Sequence, residues 1–196
     1  MNQQLLEQLL NLRQRDQDTR QRLLEEGTLF DRYAEEMQTV HRENALALNL
    51  LISAHGWPGV TLVGVEGCRA AWLIAQHSIG SPALQRTFLI SLQKACSKGD
   101  ASKKFVALLT DRIRFNEQRP QIYGTVLDWN AAGELSCEVE DPKNLNLRRK
   151  SVGLPPFAEA LEQHRAEVIS EGGKPPDDYL EWKSQQLEWA KQVGWL

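Results

Sequence analysis

His77, Asp111 and Arg112 are the residues of this chain best placed to do chemistry, because each stands where a helix should be apolar. His77 follows Leu73 by four residues and Ile74 by three, so it shares the face of the run Ala70-Ala71-Trp72-Leu73-Ile74-Ala75, with Gln76 beside it. Asp111 and Arg112 interrupt the apolar stretch Phe105 to Phe115. Buried polar groups cost free energy unless they are paired, so such residues form either a network or a site. An inward histidine suits acid–base work, a carboxylate can orient it or share its proton, and a guanidinium can hold a carboxylate or phosphate. On this reading His77 and Asp111 are the catalytic pair. Asp16, Arg20, Gln76, Arg112, Gln121 and Tyr123 line a pocket for a small anionic molecule or a peptide. Asp111 and Arg112 are adjacent and do not face each other. Their partners are sought on the polar middle of the first helix, at Asp16, Asp18 and Arg20.

The same residues also admit a bland reading. His77 is then a core histidine, Asp111 and Arg112 belong to a structural ion network, and Gln121-Ile122-Tyr123-Gly124-Thr125 is a strand edge with a turn glycine. The protein is then a non-catalytic interaction protein. Its partner, or the second subunit of a homodimer, binds the C-terminal helix through Tyr179, Trp182, Leu187, Trp189 and Trp195. The sequence leaves open whether the protein is an enzyme.

Other chemistries find no support. The four histidines are scattered, with no HExxH and no His–Cys spacing, so no metal site and no cofactor are expected. His41 sits on the apolar seam of the second helix beside Asn44. There is no GxGxxG, no GxxxxGK[ST] and no GxSxG. Arg148-Arg149-Lys150 reads as a short solvated basic stretch.

The elements that must position these residues are mainly helical. Helices are expected at 2–26, from about Thr28 to His55, and at about 66–79, 82–97 and 101–117. Thr28 caps the second, whose face is Phe30, Ala34, Met37, His41, Asn44, Leu48 and Leu51. Ser81-Pro82 opens the fourth, and Val60 to Val65 reads as a short β-rich or loop segment. Short connections predict antiparallel neighbours. Residues 121–140 read as a β-hairpin around Asn130-Ala131-Ala132-Gly133. A short helix follows Asp141-Pro142, then one at about 156–170. Residues 172–196 form a linker and an amphipathic helix that opens at Pro176-Asp177-Asp178. The fold class is mainly α, an antiparallel helical core with a small appended hairpin, and residues 1–171 form its domain.

The chain has 196 residues, 41% hydrophobic and 25% charged, with a formal net charge of −3, which suits a globular protein and gives no electrostatic footprint for nucleic acid. Cys68, Cys96 and Cys137 are odd in number and far apart, which argues against a disulfide framework. The N-terminus, Met1-Asn2-Gln3-Gln4, lacks a signal-peptide pattern, and no apolar run is long enough for a membrane span. The expected compartment is the cytoplasm.

Six stretches together resemble an uncharacterised bacterial family, a domain of unknown function. They are Arg15-Asp16-Gln17-Asp18-Thr19-Arg20, His55-Gly56-Trp57-Pro58, Trp72-Leu73-Ile74-Ala75-Gln76-His77, Leu109-Thr110-Asp111-Arg112, Gln121-Ile122-Tyr123-Gly124-Thr125 and Val152-Gly153-Leu154-Pro155-Pro156. The resemblance covers about residues 5–165. Members usually continue Tyr-Gly-Thr with Gln, whereas Val126 stands here. The resemblance implies a mainly helical domain and no particular activity.

Overall fold

Helix periodicity sets the architecture, and a computed structural model describes it for residues 1–29 and 33–196. Phe30, expected on the face of the second helix, lies outside the described residues. The chain divides into two compact units, residues 1–106 and 107–196. It is mainly helical, with one small two-stranded antiparallel sheet.

The first unit is built on α1 (Gln3–Glu25), α2 (Glu35–His55), α3 (Val60–His77) and α4 (Pro82–Ser97). Asn2 caps α1 by accepting the Leu5 N–H at 3.0 Å. The buried positions of α1 are Leu5, Leu9, Asp16, Thr19 and Leu23. One stripe thus runs the whole helix, and its middle is polar. The expected face of α2 is the observed one, with Met37, His41, Asn44 and Leu48 buried. Its start differs from expectation. Thr28 donates its N–H to Leu23 O at the end of α1, and Ala34 precedes α2 instead.

Residues 60–65, expected as strand or loop, are the first turn of α3. Asp100 supplies the missing cap, accepting the Thr61 N–H at 2.6 Å. Gly64 then breaks the helix with φ 72°, which explains the mixed sequence signal there. Gly67 lets α1 close on α3, because a Cβ at that position would stand 2.9 Å from Leu6 Cδ1.

The pairings fix helix direction. Leu12–Asn44, Asp16–His41 and Arg22–Glu36 run oppositely, so α1 and α2 are antiparallel. Asn2–Leu62, Leu6–Gly67 and Asp16–His77 rise together, so α1 and α3 are parallel. Trp72 of α3 stacks on Phe105, ring centroids 4.6 Å apart.

The second unit contains most of α5 (Lys103–Asn116), the pair β1 (Asp128–Trp129) and β2 (Leu135–Ser136), a 3-10 turn Pro142–Asn144, α6 (Leu145–Ser151), α7 (Phe157–Ser170) and α8 (Tyr179–Val193). The hairpin is shorter than 121–140, with Asp128 opposite Ser136 and Trp129 opposite Leu135. Helix α8 opens at Tyr179, three residues later than expected, because Asp178 caps it by accepting the Glu181 N–H at 2.9 Å. In the tail Ala190 and Trp195 are buried, and Gln186 donates to Asp128 Oδ2 at 3.3 Å. Among the described residues no helix is long and apolar enough to cross a membrane.

Candidate functional site

Asp16, His41 and His77, one from each of α1, α2 and α3, form a cluster of titratable side chains in the first unit. Asp16 replaces an apolar residue on the α1 stripe and is 1% exposed. His77 Nδ1 lies 2.8 Å from Asp16 Oδ2 and 3.1 Å from Oδ1. His41 Nε2 lies 3.2 Å from the same Oδ2. The two imidazoles stand 5.1 Å apart, centroid to centroid. Burial works to raise the Asp16 pKa, but the hydrogen bonds and charge of His41 and His77 outweigh it and hold the carboxyl well below the usual range. Asp16 is therefore an anion inside a helical core.

The surroundings fix this geometry. His77 is the last residue of α3, where carbonyls need partners. Gln85 of α4 donates its amide N–H to Ala75 O at 2.7 Å and Gln76 O at 3.1 Å. Ser78 Oγ donates to Ile74 O at 2.7 Å. The hydroxyl of Tyr33, just before α2, and His41 Nδ1 are 2.7 Å apart, which holds the ring with Nε2 toward Asp16. Burial, and then the Asp16 charge, raises the Tyr33 pKa, so it stays a phenol. Asn44, one turn from His41, ties α2 to α1 by donating to Leu12 O at 3.0 Å. The three side chains differ in access: those of Asp16 and His41 are 2% and 10% exposed, that of His77 30%.

Three ligand atoms, one each from Asp16, His41 and His77, lie within 4.8 Å of one another, a set able to hold a metal ion. Ligands about 2.0–2.1 Å from a tetrahedral ion stand roughly 3.4 Å apart. The observed 2.8 and 3.2 Å separations need an opening of about 0.6 and 0.2 Å, and the two histidine nitrogens lie within 4.8 Å of each other. The sequence showed no metal-ligand spacing because no two of these residues share an element.

The other expected site residues have different neighbours. Asp111, expected beside His77, lies in the second unit and is 0% exposed. Its carboxylate accepts N–H donors from Ile122 at 2.8 Å, Tyr123 at 3.1 Å and Thr125 at 3.1 Å, and the Thr125 hydroxyl at 3.1 Å. Burial pushes its pKa up, against the pull of these donors. Asp111 finds its partners in the 121–125 loop, and the carboxylate beside His77 is Asp16. Gln121 is also taken up by backbone, donating to Val126 O at 2.7 Å and accepting the N–H groups of Thr125 and Val126, both at 2.9 Å. Tyr123 is half-buried, with its N–H on Asp111 and its carbonyl on Arg149. Gly124 has φ 61°, and a Cβ there would meet Phe157, Cys137 and Val139 at 3.1–3.2 Å.

Arg149, expected in solvent, is 2% exposed. Its guanidinium donates to Tyr123 O at 2.7 Å, Gly124 O at 3.0 Å and Pro155 O at 2.7 Å, since the loop's carbonyls have no strand partner. Arg112 is half-buried with Asp128 as its charged neighbour, and burial lowers its pKa. Gln76 is buried, and its side-chain oxygen has no hydrogen-bond partner. Arg20 stands one turn beyond Asp16 on α1, half-buried. The structure thus brings Asp16 together with His77, and Asp111 with Gln121 and Tyr123. His41 and Tyr33 were not among the residues singled out.

Residues 3–166 match a family described as a family of unknown function, DUF6624. The chain belongs to this family. The match takes in all of the Asp16 centre and the 121–125 loop, and stops before α8. No curated protein and no solved structure matches the chain significantly.

Proposed function

We propose that Asp16, His41 and His77 hold one divalent transition-metal ion of the zinc class, and that the protein is a metal-dependent enzyme of hydrolytic type. The carrying observation is the convergence of two imidazole nitrogens on one buried carboxylate from three separate helices. Asp16, His41 and His77 would hold the ion as three protein ligands, the number typical of catalytic rather than structural zinc sites. Such an ion would supply an activated water for attack on an acyl or phosphoryl centre. Access comes from the His77 side, the more exposed edge of the centre. The Tyr33–His41 contact fits the reading, because a ligating histidine needs its other nitrogen fixed.

A second reading is a metal-free Asp–His pair, with His77 as general base oriented by Asp16. The short Nδ1 contacts to both carboxylate oxygens favour it. Elemental analysis of the purified protein, followed by cobalt(II) titration, separates the two. The metal reading expects one ion per chain, visible d–d absorption, and loss of both in Asp16→Asn and His77→Ala. A protein that binds neither zinc nor cobalt(II) at neutral pH would reject it in favour of the pair.

We also place the protein in the cytoplasm, a proposal supported by the free thiols Cys68, Cys96 and Cys137.

A further inference from the structure

The second unit contains a cavity of about 300 Å³, between the end of α5, the hairpin and α8. It shares no residue with the Asp16 centre. Its size is at the small end of small-molecule sites. Phe115, Trp129 and Tyr179 give it aromatic walls. Its charges are unevenly satisfied. Asp128 accepts its neighbour's N–H from Trp129 at 3.0 Å and the Gln186 amide at 3.3 Å. Lys183 makes one long bond, 3.4 Å, to the neutral Gln186 oxygen. Arg112, behind the lining, and Lys183 have the same carboxylate, Asp128, as charged neighbour, and among the described residues the buried Nε of Arg112 has no hydrogen-bond partner. Arg119, also on the lining, is held by Glu117 at 3.1 Å, and the remaining acid, Glu138, is exposed. Two half-buried cations, of which only Lys183 lines the cavity, thus share one half-buried anion.

The geometry points to a binding site for a small organic oxyanion, with Lys183 as the principal charge partner and the aromatic walls holding the ligand's apolar body. A carboxylate and a phosphate ester present the same chemistry to an ammonium group. Tyr179 and Lys183 come from α8, which lies beyond residues 3–166, so the tail completes a site that the matched segment alone does not contain.

Isothermal titration of the full chain with phenyl phosphate and, separately, with benzoate tests this. At least one should bind, about tenfold more weakly in Lys183→Gln and more weakly at high salt. Binding of phenyl phosphate alone assigns a phosphate ester, and binding of benzoate alone a carboxylate. Amide shift mapping on the wild-type protein covers the case of a misfolded variant, with perturbations expected to centre on Trp129, Tyr179 and Lys183. Binding of neither probe, equal binding by folded Lys183→Gln, or perturbations centred elsewhere would overturn the assignment.

Discussion

Replacing Asp111 by alanine should destabilise the second unit by about 3 kcal/mol, and the figure follows from counting stranded donors. The carboxylate serves three backbone N–H groups and one hydroxyl. The Thr125 N–H keeps the Gln121 oxygen at 2.9 Å, and the hydroxyl can rotate to another acceptor. Ile122 and Tyr123 lose their side-chain acceptor. A buried donor left unpaired costs about 1–3 kcal/mol, so two cost roughly 2–6, and the half-buried position of this loop favours the lower half. Asp111→Asn keeps one acceptor oxygen and should cost about 1–2 kcal/mol. Urea unfolding followed by circular dichroism gives the loss, and hydrogen exchange at the Ile122 and Tyr123 amides localises it. A loss below about 1 kcal/mol in Asp111→Ala, with unchanged exchange at those two amides, would refute the reasoning.

The acid behaviour of the first unit has a definite sign. The folded-state pKa of Asp16 is depressed, so its ionisation stabilises the fold above the ordinary value of 3.8 and that contribution fades as pH falls toward the folded value. The stability deficit of Asp16→Asn should therefore shrink as pH falls below about 3.8; a deficit that grows over that acid range contradicts the ion pairing. Tyr33→Phe should leave the fold intact but weaken zinc binding about 10–100-fold, measured by chelator competition, because His41 loses its orienting contact; equal affinity would show that Tyr33 does not position the ring. Deleting residues 174–196 should lower the melting temperature, since Ala190 and Trp195 are buried and Gln186 bonds Asp128. Light scattering on the same pair of proteins tests whether the tail instead holds two copies together.

Periodicity by itself determined the helical class. Each stripe of α1, α2 and α3 is an arithmetic property of its own segment, and burial follows most of it, with Leu12, Leu51 and Leu73 half-buried. The signal for the centre was present in the same arithmetic. Leu5, Leu9, Leu12, Asp16, Thr19 and Leu23 keep one register along α1, and His41 keeps that of α2. A polar residue in an apolar register announces that something must meet it, without saying what. Which partner it meets depends on how helices pair, and that is a tertiary matter. Asp16 meets His77 because α1 and α3 run parallel, brought close by Gly67. His41 joins them because α2 returns antiparallel to α1. Asp111 meets backbone because a loop with few strand partners must place its N–H groups somewhere. Arg149 looks like one more solvated cation in the sequence, yet the loop carbonyls draw it into the interior. The local code set where the polar residues would be buried; the packing of the helices and of the 121–125 loop decided which of them would share a site, since a buried charge is satisfied only by groups brought to it from elsewhere in the chain.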